Sequence, residues 1–135
     1  MDSFEFVVPK RPVSHQTKSR KNLKAWKDFV LVEAVKAWAP GVAPESVAAI
    51  RFSIVYLCGE APADIDNIIK PIQDALVGLV FKDDDLVSDV DSHRRYLDES
   101  IDLTRLPLLL QNAVSTGQEC VYVRVSEAQE LGSYL

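Results

Sequence analysis

A layered α/β (α+β) fold, with about four mixed strands packed against two main helices, follows from two features of the sequence. Short runs rich in β-branched and aromatic residues ("FEFVV", "VAAIRFSIVYLC", "ECVYVRVSE") alternate with two longer segments whose apolar residues recur at helical spacing. Clusters of proline and glycine ("VPKRP", "APGVAPES", "GEAP") separate these runs. At 135 residues, without internal repeats or low-complexity tracts, the chain suits one domain.

The expected order is β, α, β, α, β, short α, β. "FEFVV" predicts a strand over residues 3–8, stopped by Pro9. A helix then runs from Asn22, offered as its N-cap, to Trp38, with Leu23, Trp26, Val30 and Ala37 on one stripe. Its second half, Phe29 to Trp38, is apolar nearly all round, which suggests a sheet beneath and a partner subunit above. Residues 49–58 predict the second strand. A second helix is expected over 68–80, with Asp66 or Asn67 as cap and Pro71 tolerated in the first turn. "LVSDVDSHRRYL" (86–97) alternates like a half-exposed strand, "TRLPLLLQNAV" suggests a short helix, and "ECVYVRVSE" closes the sheet.

Composition narrows the function classes. Hydrophobic residues make up 47% and charged residues 26%, which indicates a globular chain. No apolar run approaches the roughly 20 residues of a membrane span, and the acidic N-terminal stretch lacks the form of an export signal, so a cytoplasmic location is expected. Cys58 and Cys120 read as reduced packing residues. The net charge of −5 conceals a strong polarity. Residues 9–27 carry Lys10, Arg11, Lys18, Arg20, Lys21, Lys24 and Lys27 with no acid, a charge of +7, which leaves 8 basic against 20 acidic residues elsewhere, or −12.

Chemistry concentrates in "DIDNIIKPIQDALVGLVFKDDDLV", residues 64–87. Asp64 and Asp66 precede the second helix, Lys70 lies one turn inside it, and Asp83, Asp84 and Asp85 follow it. Carboxylates with a nearby lysine are what a hard cation and a phosphoryl substrate require. The same residues also suit helix capping, an i,i+4 Lys70–Asp74 surface pair and a solvated turn, and spacing alone favours that plainer reading. A 13-residue helix would hold its two ends about 20 Å apart, so the acids converge only if the chain folds back. A calcium loop fails, because Ile69 falls where glycine is required and Ala75 where the bidentate acid belongs.

This stretch resembles the signature of the RusA-like Holliday junction resolvases, D-x-D-N-x-x-K, then D-A-L, then two aspartates before a strand. "RPVSHQTKSRKNLKAWK" is similar to the region upstream of it in many members. The resemblance implies a small homodimeric nuclease, dependent on Mg²⁺ with Mn²⁺ as an alternative, that cuts four-way DNA junctions by paired symmetric nicks. It implies Asp64, Asp66 and Asp84 as metal ligands, with Asp83 as the alternative in register, and Lys70 as the catalytic lysine. The cationic loop at about 9–22 then becomes a DNA contact through Lys10, Arg11, His15, Lys18, Arg20, Lys21 and Lys24, aided by Ser14 and Gln16. Arg94 and Arg95 are secondary phosphate contacts, and His93 is a surface residue of its strand. Two other classes stay open: a non-catalytic module binding branched DNA or a protein, and a nuclease for fork or flap DNA. Residues 99–117 read as extra length between the last two strands.

Overall fold

The computed structural model describes residues 1–135. Four strands, β1 (Phe4–Val8), β2 (Ile50–Cys58), β3 (Val87–Tyr96) and β4 (Cys120–Glu127), form one mixed sheet in the order β1-β4-β2-β3. β2 runs parallel to β3, and the other two pairings are antiparallel. Three helices accompany it: α1 (Arg20–Ala37), α2 (Ile69–Leu76) and α3 (Leu108–Thr116).

Alternation along the strands creates two unequal faces. Phe4, Phe6 and Val8, then Ile50, Phe52, Ile54, Tyr56 and Cys58, then Val121, Val123 and Val125, point to one side, where Trp26, Val30 and Ala34 of α1 and Ile72, Ala75 and Leu76 of α2 cover them. The opposite side carries a smaller apolar cluster in which Leu110 and Ala113 of α3 meet Leu57, Cys120 and Tyr122. The expected two helices over a sheet are therefore joined by a third on its reverse face. None of the helices is long and apolar enough to cross a membrane.

The bounds and caps of both main helices differ from expectation. The first helix starts at Arg20 and not at Asn22: Ser19 is the N-cap, its side chain accepting from the Asn22 amide at 3.1 Å. The cationic loop accordingly covers residues 9–19. The second helix ends at Leu76, four residues early, because Val77 turns extended and Gly78 adopts a φ of +91°, which glycine tolerates without a Cβ penalty. Val80 and Phe81 keep the apolar pattern because they are wholly buried, not because they are helical. The Glu45 amide donates to Val80 at 2.9 Å and the Lys82 amide to Glu45 at 2.8 Å, so the connection after α1 seals over this turn. Neither Asp66 nor Asn67 caps α2; the N-cap position is Ile68, without a side-chain bond.

The outer side of α1 stays uncovered in the single chain, with Val32 at 52% and Val35 at 53% exposure. The sheet beneath it carries the stability. Phe52→Ala, at a fully buried position, should cost about 3–5 kcal/mol in chemical denaturation. Val47→Ala, at 84% exposure, should stay within about 0.5 kcal/mol of wild type.

Candidate active site

Because β2 and β3 are parallel, the chain between them must cross over, and the acids lie on that crossover. On leaving β2 the chain does not enter a helix at once. Residues 59–68 run back across β3, with Arg94 Nη1 donating to the Ala63 carbonyl at 3.2 Å and Ser92 Oγ to the Ile65 carbonyl at 2.9 Å. Loop residues 63 and 65 thus meet strand residues 94 and 92 in reverse order, and the loop descends toward the start of β3. Helix α2 begins only after that descent. Its eight residues span about 12 Å, and the chain returns through residues 77–83 to Asp84, immediately before β3.

Lys70 is where the two ends meet. Its Nζ lies 2.8 Å from Asp84 Oδ2 and 2.8 Å from Asp74 Oδ1. Asp74 also receives Lys27 Nζ of α1 at 3.3 Å, so the order Lys27, Asp74, Lys70, Asp84 alternates in sign. The carboxylates of Asp74 and Asp84 hold the Lys70 ammonium well above the ordinary lysine range, outweighing its slight burial. In return, Lys70 holds Asp84 below the usual carboxylate value.

The neighbouring aspartates have distinct positions. Asp83 accepts from the Asp85 amide at 3.0 Å and caps the short 3-10 turn Asp84–Leu86. Asp83, Asp84 and Asp85 hold carboxylate oxygens within 4.8 Å of one another, and they are the one such group of acidic, His or Cys side chains in the chain. Asp64 and Asp66 do not join Asp84 in a group that tight. Both are exposed, and neither carboxylate is engaged by a protein donor or cation. The helix cap that spacing favours is absent, which leaves these two carboxylates unclaimed. Every oxygen donor here is a carboxylate, and His93 is bonded to Asp91 at 3.0 Å on the reverse face of the sheet. Such a donor set fits a hard divalent cation such as Mg²⁺ or Mn²⁺ and not a thiophilic metal.

The cationic arm lies against the same loop. The His15 amide donates to the Asn67 carbonyl at 2.7 Å, Pro12 is buried, and Val13 packs on the main core. Its charges are unequally free. Arg11 is bonded to the protein, Lys24 pairs with Asp28 at 2.9 Å, Lys27 with Asp74, and Lys10 sits 5.0 Å above the Phe29 ring. Lys18, Arg20 and Lys21 are exposed and without an ion pair, and the His15 side chain is exposed beside them. Lys27, Ser92 and the carbonyl contact of Arg94 have no sequence signal, since each depends on which elements become neighbours. Arg95 is exposed on the reverse face with His93, away from the aspartate loop.

The Lys70–Asp84 contact has a definite pH signature. Because the folded Asp84 pKa is depressed, the contact contributes above the ordinary carboxylate value and is lost as pH falls through the lower folded value. Carbonyl-detected NMR titration should place the Asp84 midpoint below 3.8, and Lys70→Met should raise it toward that value. An unmoved midpoint would contradict the assignment.

No curated protein matches the chain. A family model described as endodeoxyribonuclease RusA matches residues 6–103 of the 135, from β1 through β3, and includes the arm, the aspartate loop, Lys70 and Asp84. With most of its length and all of the acidic crossover inside that match, the chain belongs to the RusA endodeoxyribonuclease family.

Proposed function

We propose that the protein is a divalent-cation-dependent endonuclease that resolves four-way DNA junctions by paired, symmetric phosphodiester hydrolysis, as a homodimer with Mg²⁺ or Mn²⁺. The observation that carries this is the return of the crossover, which sets Lys70 against Asp84 while Asp64 and Asp66 remain unclaimed beside a cationic arm. Asp64, Asp66 and Asp84 would hold the cation. Asp84 is preferred over Asp83 because Asp83 is spent on capping and Asp84 faces Lys70. The cation, when bound, supplies Lewis-acid polarisation of a phosphodiester and lowers the pKa of water.

The chain's own groups do the rest. Lys70 stays protonated across the neutral range and is held by Asp74, so it offers a fixed positive charge to a phosphate whose negative charge grows during displacement. Lys18, Arg20 and Lys21, free of internal partners, neutralise backbone phosphates, with Lys10, Lys24 and His15 at the margins. Paired cuts on a two-fold junction require two sites related by a dyad, and the uncovered Val32 and Val35 face of α1 supports a second copy there.

With labelled four-way junction and Mg²⁺, Asp66→Asn should lower the single-turnover cleavage rate on the order of 10²-fold or more. Equal nicking by the variant, or none by wild type at low salt, would sink the enzyme reading. Fork, flap and linear duplex substrates run in parallel distinguish the related nuclease activities. Light scattering should return twice the monomer mass at micromolar concentration. Replacing Lys18, Arg20 and Lys21 together by alanine should flatten the salt dependence of junction binding by about 0.9 in log–log slope for each phosphate contact removed.

A further inference from the structure

Arg11 lies in the cationic arm, where its charge alone suggests a phosphate contact, yet its guanidinium is already committed. Nη1 donates to the Glu60 carbonyl at 2.9 Å and lies 3.4 Å from Glu119 Oε1, while Nη2 donates to the Ala61 carbonyl. Both carbonyls belong to the loop that delivers Asp64 and Asp66. Ala61 is also the one non-glycine residue with positive φ, +49°, a conformation that an L side chain keeps only when its surroundings impose it. Glu119 is anchored in turn, its Oε2 accepting from the buried Tyr56 hydroxyl at 3.1 Å. A Cβ at position 59 would come within 2.7 Å of Glu119 Oε1, so the missing side chain of Gly59 leaves room for that carboxylate.

We propose that Arg11 is a positioning residue: it fastens the arm, the entry to β4 and the aspartate loop together, and so holds the backbone from which Asp64 and Asp66 present their carboxylates to a divalent cation. This rests on the metal-dependent reading above. A planar fork can serve two adjacent carbonyls and a carboxylate at once, which a lysine ammonium cannot reproduce. The rest of the loop is held elsewhere, at Ala63 and Ile65 by β3 and at Asn67 by the His15 amide. Without Arg11, the first hold after β2 is Ala63, and Ala61 is free to return to negative φ. Glu119 lies beyond the residues that the family model matches, so this fastening joins the aspartate loop to a part of the chain outside that match.

The test compares Arg11→Ala and Arg11→Lys with wild type, after thermal melts establish that all three fold. Mn²⁺ alone is titrated into DNA-free protein by electron paramagnetic resonance, and junction binding without divalent metal is measured against salt. Both variants should weaken Mn²⁺ binding about 10-fold or more while the salt slope stays at the wild-type value. A slope lowered by about 0.9 in Arg11→Ala and restored in Arg11→Lys, with Mn²⁺ affinity unmoved, would overturn the proposal and make Arg11 a phosphate contact. Should wild type take up no Mn²⁺, the metal-dependent reading falls on its own, and amide hydrogen exchange decides the positioning role. Faster exchange confined to residues 60–67 in both variants upholds it, and unchanged protection there overturns it.

Discussion

Parallel pairing of β2 with β3 is the constraint from which the rest of the molecule follows. Two parallel neighbours cannot be closed by a hairpin, so the chain must leave the sheet, cross its face and return. Here the crossing is divided unequally. A loop descends along β3 first, a helix of two turns follows, and a turn at residues 77–82 that buries Val80 and Phe81 completes the return. Had the helix begun directly at the end of β2 and run the full distance, Lys70 and Asp84 would sit at opposite ends of it. The short helix and the descending loop are one solution, and a glycine at position 78 is what ends the helix in time.

Charge is sorted by the same architecture. Most cations of the α1 region are answered by an acid or an aromatic ring, and the acids of the crossover are partly answered by Lys70. What remains is a small unanswered cationic group on the arm beside a small unanswered anionic pair at Asp64 and Asp66. Over distances beyond about 8 Å, salt screens these residues, so the acidic body repels a polyanion weakly while the arm acts at contact. A polyanion therefore has one favoured way to approach, with the arm leading.

Much of the fold was legible in the sequence because burial imposes the periods that it displays. β2 reads cleanly from Ile50, Phe52, Ile54 and Tyr56, which alternate because one face of the sheet is covered. The end of α2 was not legible, since Leu79 and Val80 satisfy helical spacing for a different reason: Val80 is buried beneath the Glu45 connection. Asn22 has the residue type of an N-cap, but Ser19 stands three residues before it, and only the backbone decides that Ser19 caps α1. The aspartates and Lys70 were visible as residue types at a recognisable spacing. Their mutual placement was not, because it rests on Ser92 and Arg94, which bond to backbone carbonyls that carry no sequence identity. Arg11 reads as a DNA contact for the same reason, as a guanidinium suits a carbonyl as well as a phosphate.

Both cysteines are buried free thiols on opposite faces of the sheet, Cys58 in the cluster beneath α1 and α2 and Cys120 in the one against α3, its pKa pushed up to about 11 by burial. Neither thiol presents an appreciable thiolate at neutral pH, so neither competes for a maleimide or an oxidant. The native chain is in effect already a cysteine-free background for surface labelling. A single reporter cysteine at an exposed arm position such as Lys18 would report on the arm alone, with no core substitution needed beforehand.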